Sequence, residues 1–598
     1  MDDSSSVIME PRQPNPNLMD SNTTNKRNNR KRKKSFLKNA RKYAKKGHYG
    51  RGSQLEEDTY HYFVKILETF KEGFDSEEDK IIFANNVFDQ TDKQEVNCCC
   101  NQVGCRVVEM LLPFAHDDVV KRFISVFSEE IRPLSSDRFA SHVLESLVIQ
   151  SCKRALMEKT NEDMKIYYKN FAIKVSKFLL NNLEDYIWDN YGNHVMRTCL
   201  TNLIQLPSGK TIKNNIEQEI KIEIPDDFVE IVKEYGQRLI SWPQFDQLCK
   251  SDLTSGFLQE LMKCLKNVDS KLLKAYIKKL IKDVFTNSNS DNSNLLPPAF
   301  GSQSVIVLIE ISLQLSSSKM FTKLYTSCFT GNLVKLSTTR MTNYAVQRLI
   351  QYCTVKEEYE LIFDELVDHF KEIFEIGHSG IILALAEACK RHCTKQGSFV
   401  QNLMKAFDCF EPEDRQNSFI LCLSRFIVYD EHLKRTNENL QKEKLNLHGT
   451  LILQKMLDYN KPIKIVNAIL NLEQTDLLNL FSNVMGSHIA DSYVKGAFVG
   501  EKSRERLIRK MMGTYKDLAH GKYSSRSFEA LWNFANMKCR ILIMEELSHK
   551  DGSWINSDFG KIIAQKINFV TFKRNKEEWK NSMNKGNKSE EILAELLK

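Results

Sequence analysis

Apolar residues recur along this chain with the period of an α-helix. One helix face is marked by apolar residues at positions i, i+3, i+4 and i+7, namely Phe63, Ile66, Leu67 and Phe70. The same spacing continues from Leu55 towards the carboxyl end, and few segments alternate between apolar and polar residues as a half-buried strand does. The pattern therefore predicts an all-α fold.

One helical segment of about a dozen residues recurs along the chain. Each copy opens with polar residues and a small residue, and then carries two adjacent apolar pairs four residues apart, such as Val143–Leu144 and Leu147–Val148. The clear copies are Asn101–Leu112, Asp137–Val148, Asp189–Leu200, Thr339–Ile350, Asn446–Leu457, Asn483–Val494, Lys522–Trp532 and Ser557–Ile567. Weaker copies are Leu253–Met262, Ser302–Ile309 and Gly377–Ala386.

Neighbouring copies follow one another at a nearly constant step. The residue after the small position meets its counterpart 36 residues later for Cys105 and Ser141, and 37 residues later for Asn343 and Gly380. A unit of this size cannot bury its apolar face alone, so neighbours must stack to make a continuous core. The step predicts an α-solenoid of about eleven helical units, curved or bent into a U.

The sequence predicts three parts. These are a disordered N-terminal segment (1–54), a repeat solenoid (55–580, with N-terminal repeats at about 80–330 and C-terminal repeats at about 331–580), and a C-terminal tail (581–598). Wider gaps between copies hold insertions at Gly209–Asp227 and Asn287–Asn294.

Positive charge is concentrated in one short stretch. Thirteen Lys or Arg and no Asp or Glu lie between Lys26 and Arg51, whereas the whole chain has a formal net charge of +8, so the remainder is at −5. Such a block is typical of a nuclear or nucleolar targeting signal and also attracts phosphate polyanions through counterion release. Phe36, Tyr43 and Tyr49 lie among the basic residues, so stacking on RNA bases is a second interpretation.

The recurring helix resembles the Pumilio (PUF) repeat. In each copy the residue after the small one (first position), the next residue (second position) and the residue four after the first (third position) share one helix face. About eleven units behind a basic leader are similar to the Pumilio-like family called nucleolar protein nine. The resemblance implies that these three residues, here called a trio, face RNA. The first and third would bond to a base edge, and the second would stack between bases.

The chemistry of the trios favours particular bases. The amides of Asn343 and Gln347 suit uracil, with Tyr344 stacking, and a third-position Glu can accept two N–H bonds from guanine. The residues that the resemblance assigns to RNA are Cys105, Arg106 and Glu109; Ser141, His142 and Glu145; Asn193, His194 and Arg197; Asn343, Tyr344 and Gln347; Thr450 and Gln454; Ser487, His488 and Asp491; Ser525, Arg526 and Glu529; and Lys561 and Gln565.

Some trios depart from the family pattern. Arg197 only donates hydrogen bonds and favours phosphate, Asp491 is shorter than Glu, and Lys561 has lost the usual first-position type. Ser255 and Gln259 flank Gly256, which cannot stack, and these two are left outside the predicted interface.

The resemblance implies a non-enzymatic protein of the nucleus and nucleolus that binds single-stranded or partly structured precursor ribosomal RNA. It would act in small-subunit rRNA processing and ribosome biogenesis beside proteins of the pre-ribosomal particle. Two other interpretations stay open: a Pumilio-type translational repressor that binds messenger RNA 3′ untranslated regions, and an armadillo- or HEAT-like protein scaffold. Armadillo and HEAT repeats run about 40–47 residues, longer than the step found here.

Enzyme chemistry finds no support in the sequence. No catalytic constellation, cofactor motif or four-ligand metal set is recognisable, and no run of apolar residues is long enough to span a bilayer. We therefore expect no catalysis, no cofactor, no metal and no insertion into a membrane. We also expect the chain to be a monomer.

Overall fold

The computed structural model describes residues 36–157, 160–206, 224–286, 296–434, 444–549 and 552–583. Throughout these ranges the regular structure is helical, and the single β-bridge joins Gly52 to Asn101. The all-α prediction is confirmed. None of the helices described is long and apolar enough to cross a membrane.

The chain divides into two compact units, Met1–Leu273 and Lys274–Lys598. Each is built from repeats in which a short helix leads into the helix that carries the trio, and a further helix follows. The trio helices of the first unit are Gln102–Leu111, Ala140–Leu156, Asn190–Leu203 and Asp252–Val268. Those of the second unit are Gln303–Leu315, Asn343–Tyr352, Ser379–His392, Leu447–Leu457, Ser487–Lys495, Ser524–Phe534 and Asp558–Lys566. Within each unit every trio helix packs against the next one in the chain.

The remaining helices flank this series. Short helices precede the trio helices at Glu95–Cys99, Ile131–Ser136, Leu183–Tyr186, Phe245–Lys250, Pro298–Phe300, Leu333–Thr338, Phe370–Glu375, Phe419–Arg425, Gln474–Phe481, Tyr515–His520 and Ser553–Asn556. Helices follow them at Asp117–Glu129, Glu162–Asn181, Asp226–Ile240, Ser270–Leu280, Ser318–Leu324, Lys356–Leu366, Gln396–Ala406, Ile463–Asn471, Glu501–Lys510, Met537–Ser548 and Phe569–Arg574. Two helices, Glu57–Glu72 and Glu77–Asp89, precede the first repeat. Further helical segments are 3-10 helices at Leu112–Phe114, Val367–His369 and Glu413–Ser418, π-helices at Ile281–Phe285 and Tyr325–Phe329, and an α-helix at Tyr429–Lys434.

The apolar pairs of the trio helices form the core. Val143, Leu144, Leu147 and Val148 are all fully buried, as are their counterparts Val195, Met196, Cys199 and Leu200 in the next repeat. Burying these faces between neighbouring helices removes apolar surface from water, which is the main favourable contribution to folding. The core face predicted from the periodicity is therefore confirmed.

The burial pattern corrects the predicted register of one weak copy. Ile381, Ile382, Leu385 and Ala386 are the fully buried pairs of the Ser379–His392 helix. The first position lies two residues before the first pair, as Ser141 does before Val143. It therefore falls on Ser379, and Gly380 takes the second position rather than the first.

The structure also differs from the prediction that residues 1–54 are disordered. Residues 36–44 are helical and bury Ala40 and Ala44. The Tyr60 hydroxyl donates a hydrogen bond to the carbonyl of Ala40 at 3.3 Å. The described fold therefore already includes the helix at residues 36–44. Ala40 and Ala44 lie one turn apart and pack against the next helix, so this contact needs no larger apolar residue. Residues 1–35, the insertion Asn287–Asn294, most of the insertion Gly209–Asp227 and the tail from 584 lie outside the described residues.

Candidate nucleic-acid interface

The three positions of a trio differ in exposure in a regular way. Nearly all the first positions are buried: Cys105, Ser141, Asn193, Asn343, Thr450, Ser487 and Ser525. The second positions with large polar or aromatic side chains are exposed: Arg106, His142, His194, Tyr344, His488 and Arg526. The third positions are half-buried or exposed: Glu109, Glu145, Arg197, Gln347, Gln454, Asp491, Glu529 and Gln565. The second positions therefore project from the protein, as stacking on a base requires.

The buried first positions also bond to their own helix. The hydroxyls of Thr450, Ser487 and Ser525 each donate to a carbonyl three residues earlier, at 2.9, 3.2 and 3.2 Å respectively. A hydroxyl carries one hydrogen, so these oxygens keep only acceptor capacity for a base. Lys561 departs from the others because its side chain is exposed and lies 3.5 Å from Asp558.

The Asn343 trio has a connected amide pair. The Asn343 side-chain nitrogen donates to the carbonyl of Arg340 at 2.6 Å, and its oxygen accepts from Gln347 Nε2 at 3.0 Å. Tyr344 is 62% exposed, among the most exposed large side chains of the described chain. The Gln347 amide lies against Gly380 of the next repeat, where a Cβ atom would be 2.6 Å from Oε1. The bond to Asn343 and the open space at Gly380 together set the orientation of Gln347.

Arg197 does not point away from the protein as a phosphate ligand would. Its guanidinium donates to the carbonyl of Leu253 and lies against Gly256, both in the next repeat. In the same trio Asn193 is fully buried and donates to the carbonyl of Ile187 at 2.8 Å. Of this trio only His194 is exposed. Asn193 is buried, and Arg197 turns inward because Gly256 leaves a space that its long side chain fills.

Two of the third-position glutamates, Glu145 and Glu529, bond to the following repeat. Glu145 accepts from the Thr198 hydroxyl at 2.6 Å and lies 3.3 Å from His142 Nδ1. Glu529 forms an ion pair with Lys566 at 2.8 Å. Thr198 and Lys566 each stand five residues after the first position of the following repeat, so the two contacts are equivalent.

Charge couples the neighbouring trios of the first unit. The hydrogen bond that His142 donates to Glu145 raises the pKa of His142, and the negative charge of Glu109 in the preceding repeat also contributes. Burial, followed by the positive charge of Arg197, lowers the pKa of His194, on which Glu145 and His142 of the preceding repeat act in opposite directions. These effects of one trio on another show that the trios are adjacent along three packed helices.

Two contacts in this surface have no signal in the repeat pattern. The guanidinium of Arg106 lies over the ring of Phe36, 4.6 Å from its centre, although 70 residues separate them. Ser379, displaced from the predicted register, forms a hydrogen bond of 2.7 Å with His448 Nδ1.

The Asp491 carboxylate forms an ion pair within its own helix, with Lys495 at 2.8 Å.

Stacked helical repeats that each present one projecting side chain beside a buried polar residue define a PUF-type repeat protein. Residues 93–562 match the family model described as NOP9-like PUF repeat domain, and the chain belongs to this family. The membership predicted from the repeats is thereby confirmed.

Individual relatives agree with this family. Nucleolar protein 9 of Mus musculus is 25% identical over 592 residues, covering 91% of each chain. Nucleolar protein 9 of Homo sapiens is 22% identical and also covers 91% of each chain. Pumilio homolog 23 of Arabidopsis thaliana is 21% identical, covering 88% of this chain and 73% of its own length. The names of the first two agree with the predicted nucleolar location.

A solved structure shares the fold. The structure described as "Structure of APUM23-GGAAUUGACGG" has a TM-score of 0.69 and 19% identity, and the match covers 88% of this chain and 99% of that one. The likeness confirms a PUF repeat solenoid.

Proposed function

We propose that this protein is a non-enzymatic RNA-binding protein of the nucleolus that holds precursor ribosomal RNA during maturation of the small ribosomal subunit. The observation that carries the proposal is the series of exposed second-position side chains. Each lies beside a polar third position on helices that pack in sequence. Single-stranded RNA offers base faces for stacking and base edges for hydrogen bonds to such a surface.

Recognition would be partial. The Asn343 trio presents amide groups and a free-standing Tyr344 ring, so it is the strongest candidate for selecting one base. Asn193, Arg197 and Asp491 are bonded within the protein as Asn343 is, but their trios have no amide at the third position. The protein would act by occupancy, covering a stretch of RNA until other factors process it.

The relatives support the class of ligand and the location. The oligonucleotide named with APUM23 contains uridine, so it is an RNA sequence. Several relatives are named nucleolar protein 9. The thirteen basic residues between Lys26 and Arg51 would add affinity for phosphate without selecting a sequence.

Fluorescence anisotropy with labelled single-stranded RNA tests the proposed surface. The variant with Asn343, Tyr344 and Gln347 all changed to Ala should lose at least about tenfold in affinity, since one stacked base contributes about 1–3 kcal/mol. Leu361→Ala is the matched control, because Leu361 is 60% exposed but belongs to the following helix of the same repeat. Equal affinities of the triple variant and the control would contradict the proposed surface.

Crosslinking in cells followed by sequencing of the attached RNA tests the substrate. Precursor ribosomal RNA of the small subunit is the expected product. Enrichment of messenger RNA 3′ ends would instead support the translational repressor. Absence of RNA on a filter at low salt would support the protein scaffold, since electrostatic RNA binding is strongest there.

A further inference from the structure

A cavity of about 320 Å³ lies between the N-terminal helix at residues 36–44 and the start of the first repeat. Cavities that hold small ligands fall in the range of about 300–1,000 Å³. Its lining residues include Phe36, Tyr43, His48, Arg51 and Gln102. The cavity therefore has the size of a nucleotide site and lies within the first unit.

The cavity is built by specific contacts. The buried side chain of Asn101 donates to the carbonyls of Tyr49 at 3.0 Å and Ser53 at 2.7 Å. The backbone N–H of Gln102 donates to the carbonyl of Arg51 at 2.9 Å. Gly52 has a φ of +89°, and its α-carbon lies so close to the carbonyl of Cys100 that a Cβ atom would overlap it. These contacts hold the segment, and the wall it forms, against the first repeat.

The lining combines aromatic faces with positive charge. Arg51 donates to the Tyr43 hydroxyl at 3.4 Å and lies 5.8 Å from the centre of its ring. Tyr43 is 42% exposed, so part of its ring is open to a ligand. The side chains of His48 and Gln102 have no hydrogen-bond partner among the described residues. No Asp or Glu occurs between Lys26 and Arg51, so nothing in this segment cancels the charge of the arginine.

The cavity adjoins the first trio. Phe36, one of its lining residues, packs on the guanidinium of Arg106, which is the second position of that trio. A base stacked on Arg106 would thus have its neighbour in the strand next to the cavity. Aromatic and arginine side chains beside a basic surface are the combination that binds single-stranded nucleic acid.

We propose that this cavity binds one nucleotide of single-stranded RNA, with the base against Tyr43 and the phosphate on Arg51, and so extends the RNA surface beyond the trio of the first repeat. This rests on the proposed function, since it concerns the same strand of RNA. The basic segment is then a structured part of the interface from Phe36 onward.

The experiment uses the full chain and a pool of random 30-nucleotide RNAs that contain 4-thiouridine. After ultraviolet crosslinking, mass spectrometry should find adducts on peptides that contain Tyr43 or His48, and separately on the peptide that contains Tyr344. Tyr43→Ala and Arg51→Ala should each weaken binding about tenfold and remove the first group of adducts. Tyr43→Phe should keep the adducts, because it keeps the ring.

The control is Lys71→Ala, which removes the same charge as Arg51→Ala from an exposed residue outside both the cavity lining and the basic segment. It should weaken binding less than twofold. Adducts at Tyr344 with none in residues 36–54, or equal losses for Arg51→Ala and Lys71→Ala, would overturn the cavity proposal and leave the proposed function standing. A chain that shows no adducts and no binding would overturn both.

Discussion

The guanidinium of Arg197 lies against Gly256 of the next repeat, where a Cβ atom would be 2.7 Å from each of its two terminal nitrogens. Gln347 lies against Gly380 in the same way in the second unit. In both places a third-position side chain occupies the space that a missing second-position side chain leaves. The repeats that contain Gly256 and Gly380 therefore have no stacking residue of their own, and the stack of bases would be interrupted there.

Gly256→Ala should have opposite effects in two backgrounds. In the wild-type chain the new methyl group displaces Arg197 and breaks its charged hydrogen bond to Leu253, worth about 1.5–3 kcal/mol. In an Arg197→Ala chain no such bond exists, and the higher helix propensity of Ala stabilises by about 1 kcal/mol. Gly256→Ala should therefore lower the melting temperature of the wild-type chain and raise that of the Arg197→Ala chain. A rise in both backgrounds would contradict the contact.

Tyr344→Ala should weaken RNA binding by about 1–3 kcal/mol, whereas Tyr344→Phe should retain most of the affinity. The ring is 62% exposed and contributes through its face, so the hydroxyl is dispensable for stacking. Anisotropy titrations at one fixed salt concentration measure both variants. Equal losses for Phe and Ala would show that the hydroxyl, rather than the ring, makes the contact.

His142 and His194 should titrate on opposite sides of the ordinary histidine pKa. Glu145 raises the pKa of His142, so the stability gained from this contact is present below pH about 6.5 and is lost as the pH rises through the raised value. Burial lowers the pKa of His194, so burial of the neutral ring costs the folded protein no stability above pH about 6.5. The folded protein loses stability as the pH falls through the lowered value, because the buried ring must then be protonated. Histidine ring signals in an NMR titration measure both.

Glu145→Gln is the variant that isolates the cause. It should lower the pKa of His142, because the carboxylate that favours the imidazolium is gone. An unchanged His142 titration in this variant would rule out the His142–Glu145 contact in solution.

Asn101→Asp should release the N-terminal segment. The carboxylate still caps the Gln102–Leu111 helix by accepting from Val103 and Gly104, but it cannot donate to Tyr49 and Ser53. Trypsin cleavage after Lys45 should accelerate about tenfold or more, because two half-buried carbonyls lose their donor.

Asn446→Asp serves as the comparison for that variant. Asn446 caps the Leu447–Leu457 helix by accepting from Gly449 at 3.0 Å, and it belongs to the second unit, whereas the N-terminal segment belongs to the first. Cleavage after Lys45 should stay at the wild-type rate. Acceleration in both variants would mean that general destabilisation, rather than loss of docking, exposes the site.

Much of the fold could be predicted from the sequence because its signal is local. The buried pairs around Val143 and Leu147 follow from helical periodicity, and the repeat step follows from comparing neighbouring copies. The register error at Gly380 arose because Ser379 resembled the small residue that precedes a first position. Only the burial of Ile381 and Ile382 showed which residue faces the core.

The sequence by itself determined the helical class, the repeat and the face of each helix that carries the trio, since these depend on residues within one or two turns of each other. Only the tertiary structure decided that Arg197 turns towards Gly256 and that Phe36 covers Arg106. Those contacts join residues that are 50 or more positions apart. Whether a long side chain points to solvent or into a neighbour depends on the space that the neighbouring repeat leaves open, and no local pattern records that space.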